Sequence, residues 1–155
     1  IAVLNSILSG GMSSRLFQNI REAHGVAYQI FSFINLYRDT GSFGVYLATD
    51  PAKRDLAVEL TLTELEKMVK DPVSDAELEM VKAQYKSGIV MGDESMERRM
   101  MRLGRQQIYY GENIGLDKFL KKIEAIDVER IQVLARELFN PDRFFTSILE
   151  PASAV

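Results

Sequence analysis

The sequence has 155 residues, of which 46% are hydrophobic and 26% charged, and its formal net charge is −3. This length and composition predict one globular domain, residues 1–155, built around a single core. The negative charge argues against nucleic acid as a partner. No apolar run in the sequence reaches the roughly 20 residues that a membrane-spanning helix needs. Cysteine is absent, which excludes disulfides and thiol chemistry without fixing a compartment.

The stretch GGMSSRLFQNIREAHGVAY near the start of the chain predicts a short helix followed at once by a strand. Ser13 or Ser14 can cap the helix, and apolar residues recur inside it at helical spacing. Gly25 is suited to the left-handed conformation that ends a helix. The side chain of Arg21, near the end of the helix, and that of Tyr28, at the start of the strand, can therefore face the same region of the fold.

A hairpin and a series of helices follow this stretch. Ala27–Tyr37 is rich in aromatic and branched residues and predicts a strand, and Ser42–Thr49 predicts its antiparallel partner after the turn RDTG. Proline, capping and glycine signals then predict further helices. These cover Asp50–Lys70, Ser74–Gly92, Met96–Tyr110, Leu116–Ile126 and Asp127–Phe139. The last apolar run, Phe144–Leu149, predicts a third strand.

This order of elements predicts an α+β fold in which helices pack on one face of a mainly antiparallel sheet. Three strands are few for so many helices, so we expect the N-terminal strands of the sheet to lie outside this chain. Ile1–Leu8 has the pattern of a buried helix, and the predicted strands are apolar on both faces. Because exposed apolar surface is unfavourable, the chain by itself is expected to self-associate.

The segments GGMSSRLFQNIRE and HGVAY together resemble the C-terminal half of the pitrilysin/insulinase family of zinc metallopeptidases. Within that family the resemblance is to the branch of mitochondrial processing peptidase and its bacterial relatives. It continues through DTGSFGVY, ATDP, RLGRQQIYYGE and FNPDRF, and so covers nearly the whole chain. The resemblance implies a partial C-terminal half-domain of a bacterial zinc protease, and it favours the bacterial cytoplasm.

The resemblance also implies a role for Arg21 and Tyr28, which match an Arg–Tyr pair of the family by spacing and context. In the family this pair reaches across a closed chamber to the zinc site, where it holds the substrate and stabilises the oxyanion of the tetrahedral intermediate. A fixed cation and a phenolic donor are suited to that task. The alternative is that Arg21 is solvated or paired with Glu22, and that Tyr28 is an ordinary strand aromatic.

The chain contains one histidine, His24, and so cannot form the inverted H-x-x-E-H zinc motif. We expect no metal in this chain, and the resemblance places the zinc in an N-terminal half of the full protein. His24 is expected to bind carbonyl groups at the end of its helix. Glu64 and Glu77 are expected to lie on solvated helix faces.

The sequence therefore predicts the C-terminal, non-metal half of a zinc-dependent endopeptidase, inactive when alone. Its partners would be an N-terminal catalytic half or a partner subunit, together with a peptide substrate. The alternative is a catalytically silent family subunit that acts as a structural or peptide-binding partner. The sequence leaves open whether the upstream half keeps the zinc motif, which peptide is cut, and whether the halves are one polypeptide or two.

Overall fold

The computed structural model describes residues 1–151. An N-terminal helix, α1, is followed by a π-helix, a hairpin of strands β1 and β2, and five further α-helices. The bounds are α1 Ala2–Ser9, the π-helix Phe17–Ala23, β1 Ala27–Leu36, β2 Gly41–Thr49, α2 Arg54–Lys70, α3 Asp75–Asp93, α4 Met96–Tyr110, α5 Leu116–Glu124 and α6 Val128–Leu138. Single 3₁₀ turns lie at Pro51–Lys53 and Pro141–Arg143.

The helix boundaries follow from capping side chains and glycines that the sequence displays. The carboxylate of Asp50 accepts a hydrogen bond from the amide of Ala52 at 2.8 Å, ahead of α2. Asp127 likewise accepts from the amide of Arg130 at 2.8 Å at the start of α6. Gly111 ends α4 in the left-handed conformation, with φ = 72°. Such caps satisfy terminal backbone groups, which explains why these boundaries could be predicted.

The predicted α+β arrangement is confirmed, with helices on one face of an antiparallel sheet. Ile30 of β1 and Phe43, Val45 and Leu47 of β2 pack against the core from that face. The most deeply buried large side chains come from the segments before β1 and from α2: Leu4, Ile7, Leu8, Leu16, Ile20 and Met68. The opposite face of the sheet carries exposed aromatic rings.

The predicted strand at Phe144–Leu149 is wrong for the described structure, whose sheet has two strands. Residues Phe144–Pro151, here named the C-terminal segment, have no regular secondary structure. A strand requires a hydrogen-bonded neighbour about 4.8 Å away. The C-terminal segment instead faces β2 across a groove of about 800 Å³, which we name the β2 groove.

Among the described residues, no helix combines the length and the apolar character needed to cross a bilayer.

Candidate functional site

The π-helix is tied to two long helices by charged side chains. Arg15, just before it, donates to both carboxylate oxygens of Glu77 in α3, at 2.8 and 2.7 Å, and this hydrogen bonding raises the pKa of the Arg15 guanidinium. Asn19 donates to Glu64 of α2 at 2.7 Å, and Lys67 pairs with the same carboxylate at 2.6 Å. The expectation that Glu64 and Glu77 lie on solvated helix faces is therefore wrong: Glu64 is only 5% exposed, and the partly buried carboxylate of Glu77 is bound by Arg15.

The predicted hydroxyl cap does not form at the start of this helix. Neither Ser13 nor Ser14 caps the π-helix; Ser14 Oγ instead donates to the carbonyl of Gly11 at 2.6 Å. The hydroxyl group thus stabilises the turn before the helix. The prediction for Gly25 is confirmed, because it follows the helix with φ = 57°.

Arg21 lies in the last turn of the π-helix and points its guanidinium over an aromatic ring. Its Cζ atom is 4.9 Å from the ring centroid of Phe17, four residues earlier. This is cation–π geometry. Within residues 1–151, no hydrogen bond or ion pair engages the Arg21 side chain, and none joins it to Glu22. The guanidinium is therefore oriented by an aromatic face while its N–H donors stay free.

Tyr28 is the extra residue of a β-bulge at the start of β1. Ala27 pairs with Thr49, and Gln29 pairs with Ala48, the neighbour of Thr49. Tyr28 lies between these two pairs and has no partner in β2. A bulge of this kind re-aims a side chain. Tyr28 is 77% exposed, so its phenol is directed into solvent and does not pack in the core.

The connection between Arg21 and Tyr28 is short and well bonded. The amide of Gly25 donates to the carbonyl of Arg21 at 3.1 Å, and Thr49 of β2 donates its hydroxyl to the carbonyl of Val26 at 2.6 Å. Tyr28 thus lies at the end of the hairpin where Ala27 pairs with Thr49, and Arg21 lies in the π-helix that precedes it. No direct hydrogen bond joins them in the described part of the chain.

A family model described as the peptidase M16 inactive domain matches residues 1–85, more than half of the chain. The chain belongs to this family. Two relatives of this M16 inactive domain are uncharacterized zinc proteases. The one from Mycobacterium bovis is 36% identical over 151 residues, and YmxG from Bacillus subtilis is 33% identical over 152 residues.

These matches cover 97% and 98% of the chain but 34% and 37% of the relatives. The chain thus spans about a third of the length of the curated relatives that it matches. Among solved structures, a peptidase M16 inactive domain from Pseudomonas fluorescens has a TM-score of 0.80 at 22% identity, over 90% of this chain and 34% of that chain. The predicted zinc-peptidase family and its fold are therefore confirmed.

No metal site is evident in the part of this M16 inactive domain that the structure describes. No group of three or more His, Cys, Asp or Glu side chains in residues 1–151 is arranged to hold a metal ion. Nδ1 of His24 lies 2.8 Å from the carbonyl oxygen of Asn19. This confirms the expectation that His24 binds a helix-end carbonyl.

Sequence reasoning did not single out two aromatic contacts of the structure. The first is the contact between Phe17 and Arg21. The i, i+4 spacing of an aromatic residue and a cation in a helix could have predicted it. The second is an aromatic cluster on the open sheet face. There the rings of Phe31 and Tyr46 stack at 5.0 Å, and Phe33 lies 6.5 Å from Phe31. Its signal was the alternation of aromatic residues along β1.

Proposed function

We propose that this chain is the C-terminal, non-metal half of a zinc-dependent endopeptidase and that Arg21 and Tyr28 act on its peptide substrate. The observation that supports this role is that the hydrogen-bond donors of both side chains are free to bind a substrate. The guanidinium of Arg21 rests on Phe17 without an acidic partner among the described residues, and the phenol of Tyr28 projects from a bulge into solvent. One of these donors lies in the π-helix and the other at the start of β1.

The proposed chemistry is stabilisation of negative charge. When water attacks a peptide carbonyl, the carbonyl oxygen becomes an oxyanion, and donors already aimed at it lower the barrier. The guanidinium of Arg21 can bind the substrate backbone with several N–H groups. Tyr28 can donate its phenolic O–H. The metal-bearing half of the protein would supply Lewis-acid chemistry and the attacking water.

The partner in this proposal is the half that carries the zinc, either in the same polypeptide or as a separate subunit. A peptide would be enclosed between the two halves. We propose that the protein lies in the bacterial cytoplasm. One neighbour of the same fold is described as the periplasmic protease PqqL from Escherichia coli, so the periplasm is the competing location. Cell fractionation distinguishes the two.

Tyr28→Phe, made in the full-length protein, removes one oxyanion donor. We expect kcat to fall by roughly 10²–10³-fold while the protein stays folded, because loss of one such donor typically has this effect. Tyr37→Phe is the matched control, since Tyr37 is also exposed and follows the other end of β1. Arg21→Ala should lower kcat to a similar extent, and it should also raise KM if the guanidinium binds the substrate.

Arg15→Ala would be a poor control for Arg21→Ala because it breaks the pair with Glu77. Arg99→Ala serves better, since Arg99 is exposed on α4. Unchanged kcat/KM in Tyr28→Phe and Arg21→Ala, with zinc bound, would remove the pair from the mechanism. A zinc-free full-length protein that cleaves no peptide would instead support the silent-subunit alternative.

Metal content gives a second test of the proposal. The chain of residues 1–155 should bind no stoichiometric zinc after dialysis, whereas the full-length protein should hold zinc. Elemental analysis by mass spectrometry measures both. Stoichiometric zinc in the isolated chain, lost in His24→Ala, would contradict the proposed division between the two halves.

A further inference from the structure

The open sheet face carries no charge and is apolar at its centre. Neither β1 nor β2 contains a charged residue, although 26% of the residues in the chain are charged. A sheet face that meets only water is usually polar. Here the aromatic cluster of Phe31, Phe33 and Tyr46 lies at the centre of the face, and these residues remain 39%, 40% and 46% exposed. Contiguous apolar patches on a protein surface commonly mark binding sites.

Gly44 gives the aromatic cluster its shape. Phe33 faces Gly44 across the hairpin, and a Cβ atom added at Gly44 would lie 2.3 Å from Cζ of Phe33. The ring of Phe33 therefore covers the backbone of β2, which accounts for a glycine inside a strand. In the neighbouring pair on this face, Phe31 opposes Tyr46, and their rings stack with centroids 5.0 Å apart. The surface is thus formed before any ligand binds.

The absence of charge decides which kind of side chain this surface can bind. A carboxylate or ammonium group moved from water onto the aromatic cluster would lose hydration and meet no opposite charge from β1 or β2. An apolar side chain would instead gain from leaving water. An aromatic ring would gain further, because rings attract one another in stacked and edge-to-face arrangements. The favoured occupant is therefore an uncharged aromatic or aliphatic side chain.

The aromatic cluster lies on the same strand as Tyr28, at a distance that a peptide can bridge. Phe31 follows Tyr28 by three residues, and a strand rises about 3.3 Å per residue, so their Cα atoms are about 10 Å apart. An extended peptide covers that length in about three residues. We propose that the aromatic cluster binds an apolar or aromatic side chain of the substrate peptide, about three residues from the bond that is cleaved. This inference rests on the proposed function, because it takes Tyr28 to act at that bond.

Peptide binding to the full-length protein tests the occupant without requiring cleavage. The probes are short fluorescent peptides of alanine and serine whose central residue is phenylalanine, leucine, serine, lysine or aspartate. Their affinities are measured by fluorescence anisotropy after the zinc is chelated, so that no bond is cut. The phenylalanine and leucine peptides should bind roughly tenfold more tightly than the other three. Equal affinities would overturn the proposal, and so would tightest binding of the lysine peptide, which indicates cation–π recognition.

Two variants link this selectivity to the aromatic cluster. Phe31→Ala removes one of the stacked rings, and Gly44→Ala displaces the ring of Phe33. Each should reduce the preference for phenylalanine over serine by roughly threefold or more. Leu36→Ala is the matched control, because Leu36 is also exposed on β1 but alternation places it on the opposite face. An unchanged preference in folded Phe31→Ala, or an equal loss in Leu36→Ala, would overturn the proposal.

The position of cleavage gives a second readout, which a purely structural role would not affect. The zinc-loaded full-length protein should cut a peptide about three residues from its single phenylalanine. Moving that phenylalanine along the peptide should move the cut by the same number of residues, as mass spectrometry of the products shows. A cut that ignores the phenylalanine, in an enzyme that Tyr28→Phe impairs, would overturn this inference and leave the proposed function standing. Selective binding without cleavage would support the aromatic cluster as a binding surface and overturn the proposed function.

Discussion

At the scale of single residues, Gly25 sets the path of the chain between the π-helix and β1. Its φ of 57° lies in the left-handed region, which costs residues with a Cβ about 1 kcal/mol or more. No atom lies within 4 Å of where a Cβ would be added. The cost of Gly25→Ala is therefore conformational and not steric.

We predict that Gly25→Ala lowers the free energy of unfolding by about 1 kcal/mol. Gly88→Ala is the control, because Gly88 lies inside α3 and its added Cβ would also meet nothing within 4 Å. There alanine should raise stability by about 0.5–1 kcal/mol through helix propensity. Urea denaturation measures both values. Changes of the same sign in the two variants would contradict this account.

Single residues also show where sequence reasoning fails. Gly25 could be predicted because its requirement is local. Glu64 could not, because its partner Asn19 is 45 residues away, and a glutamate within a helical pattern resembles any solvated glutamate. The pairing of Arg15 with Glu77 spans 62 residues and was hidden for the same reason. Arg21 and Tyr28 were found through resemblance, and their exposure could not be read from spacing alone.

At the scale of elements, Glu64 links α2 to the π-helix that carries Arg21. We predict that Glu64→Ala lowers the free energy of unfolding by about 2 kcal/mol, because a buried charge-assisted hydrogen bond to Asn19 is lost. Glu66→Ala is the control on the same helix, where an exposed pair with Lys70 contributes little because solvent screens it. Thermal unfolding of both variants measures the difference. Equal losses would show that the Glu64–Asn19 contact has no special role.

Elements with local signals were predicted closely, and the one that depends on a distant partner was not. The hairpin followed from composition and its turn, and the helices from their caps. Phe144–Leu149 has the composition of a strand, but a strand exists only when another backbone completes its hydrogen bonds. The amino-acid sequence of the C-terminal segment does not show whether a neighbouring strand is present. The error therefore arises from pairing and not from propensity.

At the scale of the whole molecule, the exposed edge and groove predict association of the isolated chain. Residues 1–155 should show an average mass that rises above 17.6 kDa with increasing concentration, because unpaired strand edges and apolar surface promote contacts between copies. Sedimentation velocity measures this. Leu149→Lys should weaken the association, and Ala76→Lys on an exposed turn of α3 is the control. A monomer at every concentration would contradict the prediction.

The π-helix has a consequence for how the chain tolerates insertions and deletions. A π-turn holds one residue more than an α-turn, and each residue of an α-helix advances the side chains by about 100° around the axis. A one-residue insertion in an α-helix therefore rotates every side chain that follows it, whereas a π-turn takes up the extra residue and leaves the flanking side chains in phase. Deleting Gln18 would restore ordinary α-helical pairing and would shorten the spacing of Phe17 and Arg21 from four residues to three. A homologue one residue shorter here would thus keep its arginine on the same side of the helix but change the contact that the guanidinium makes with the aromatic ring.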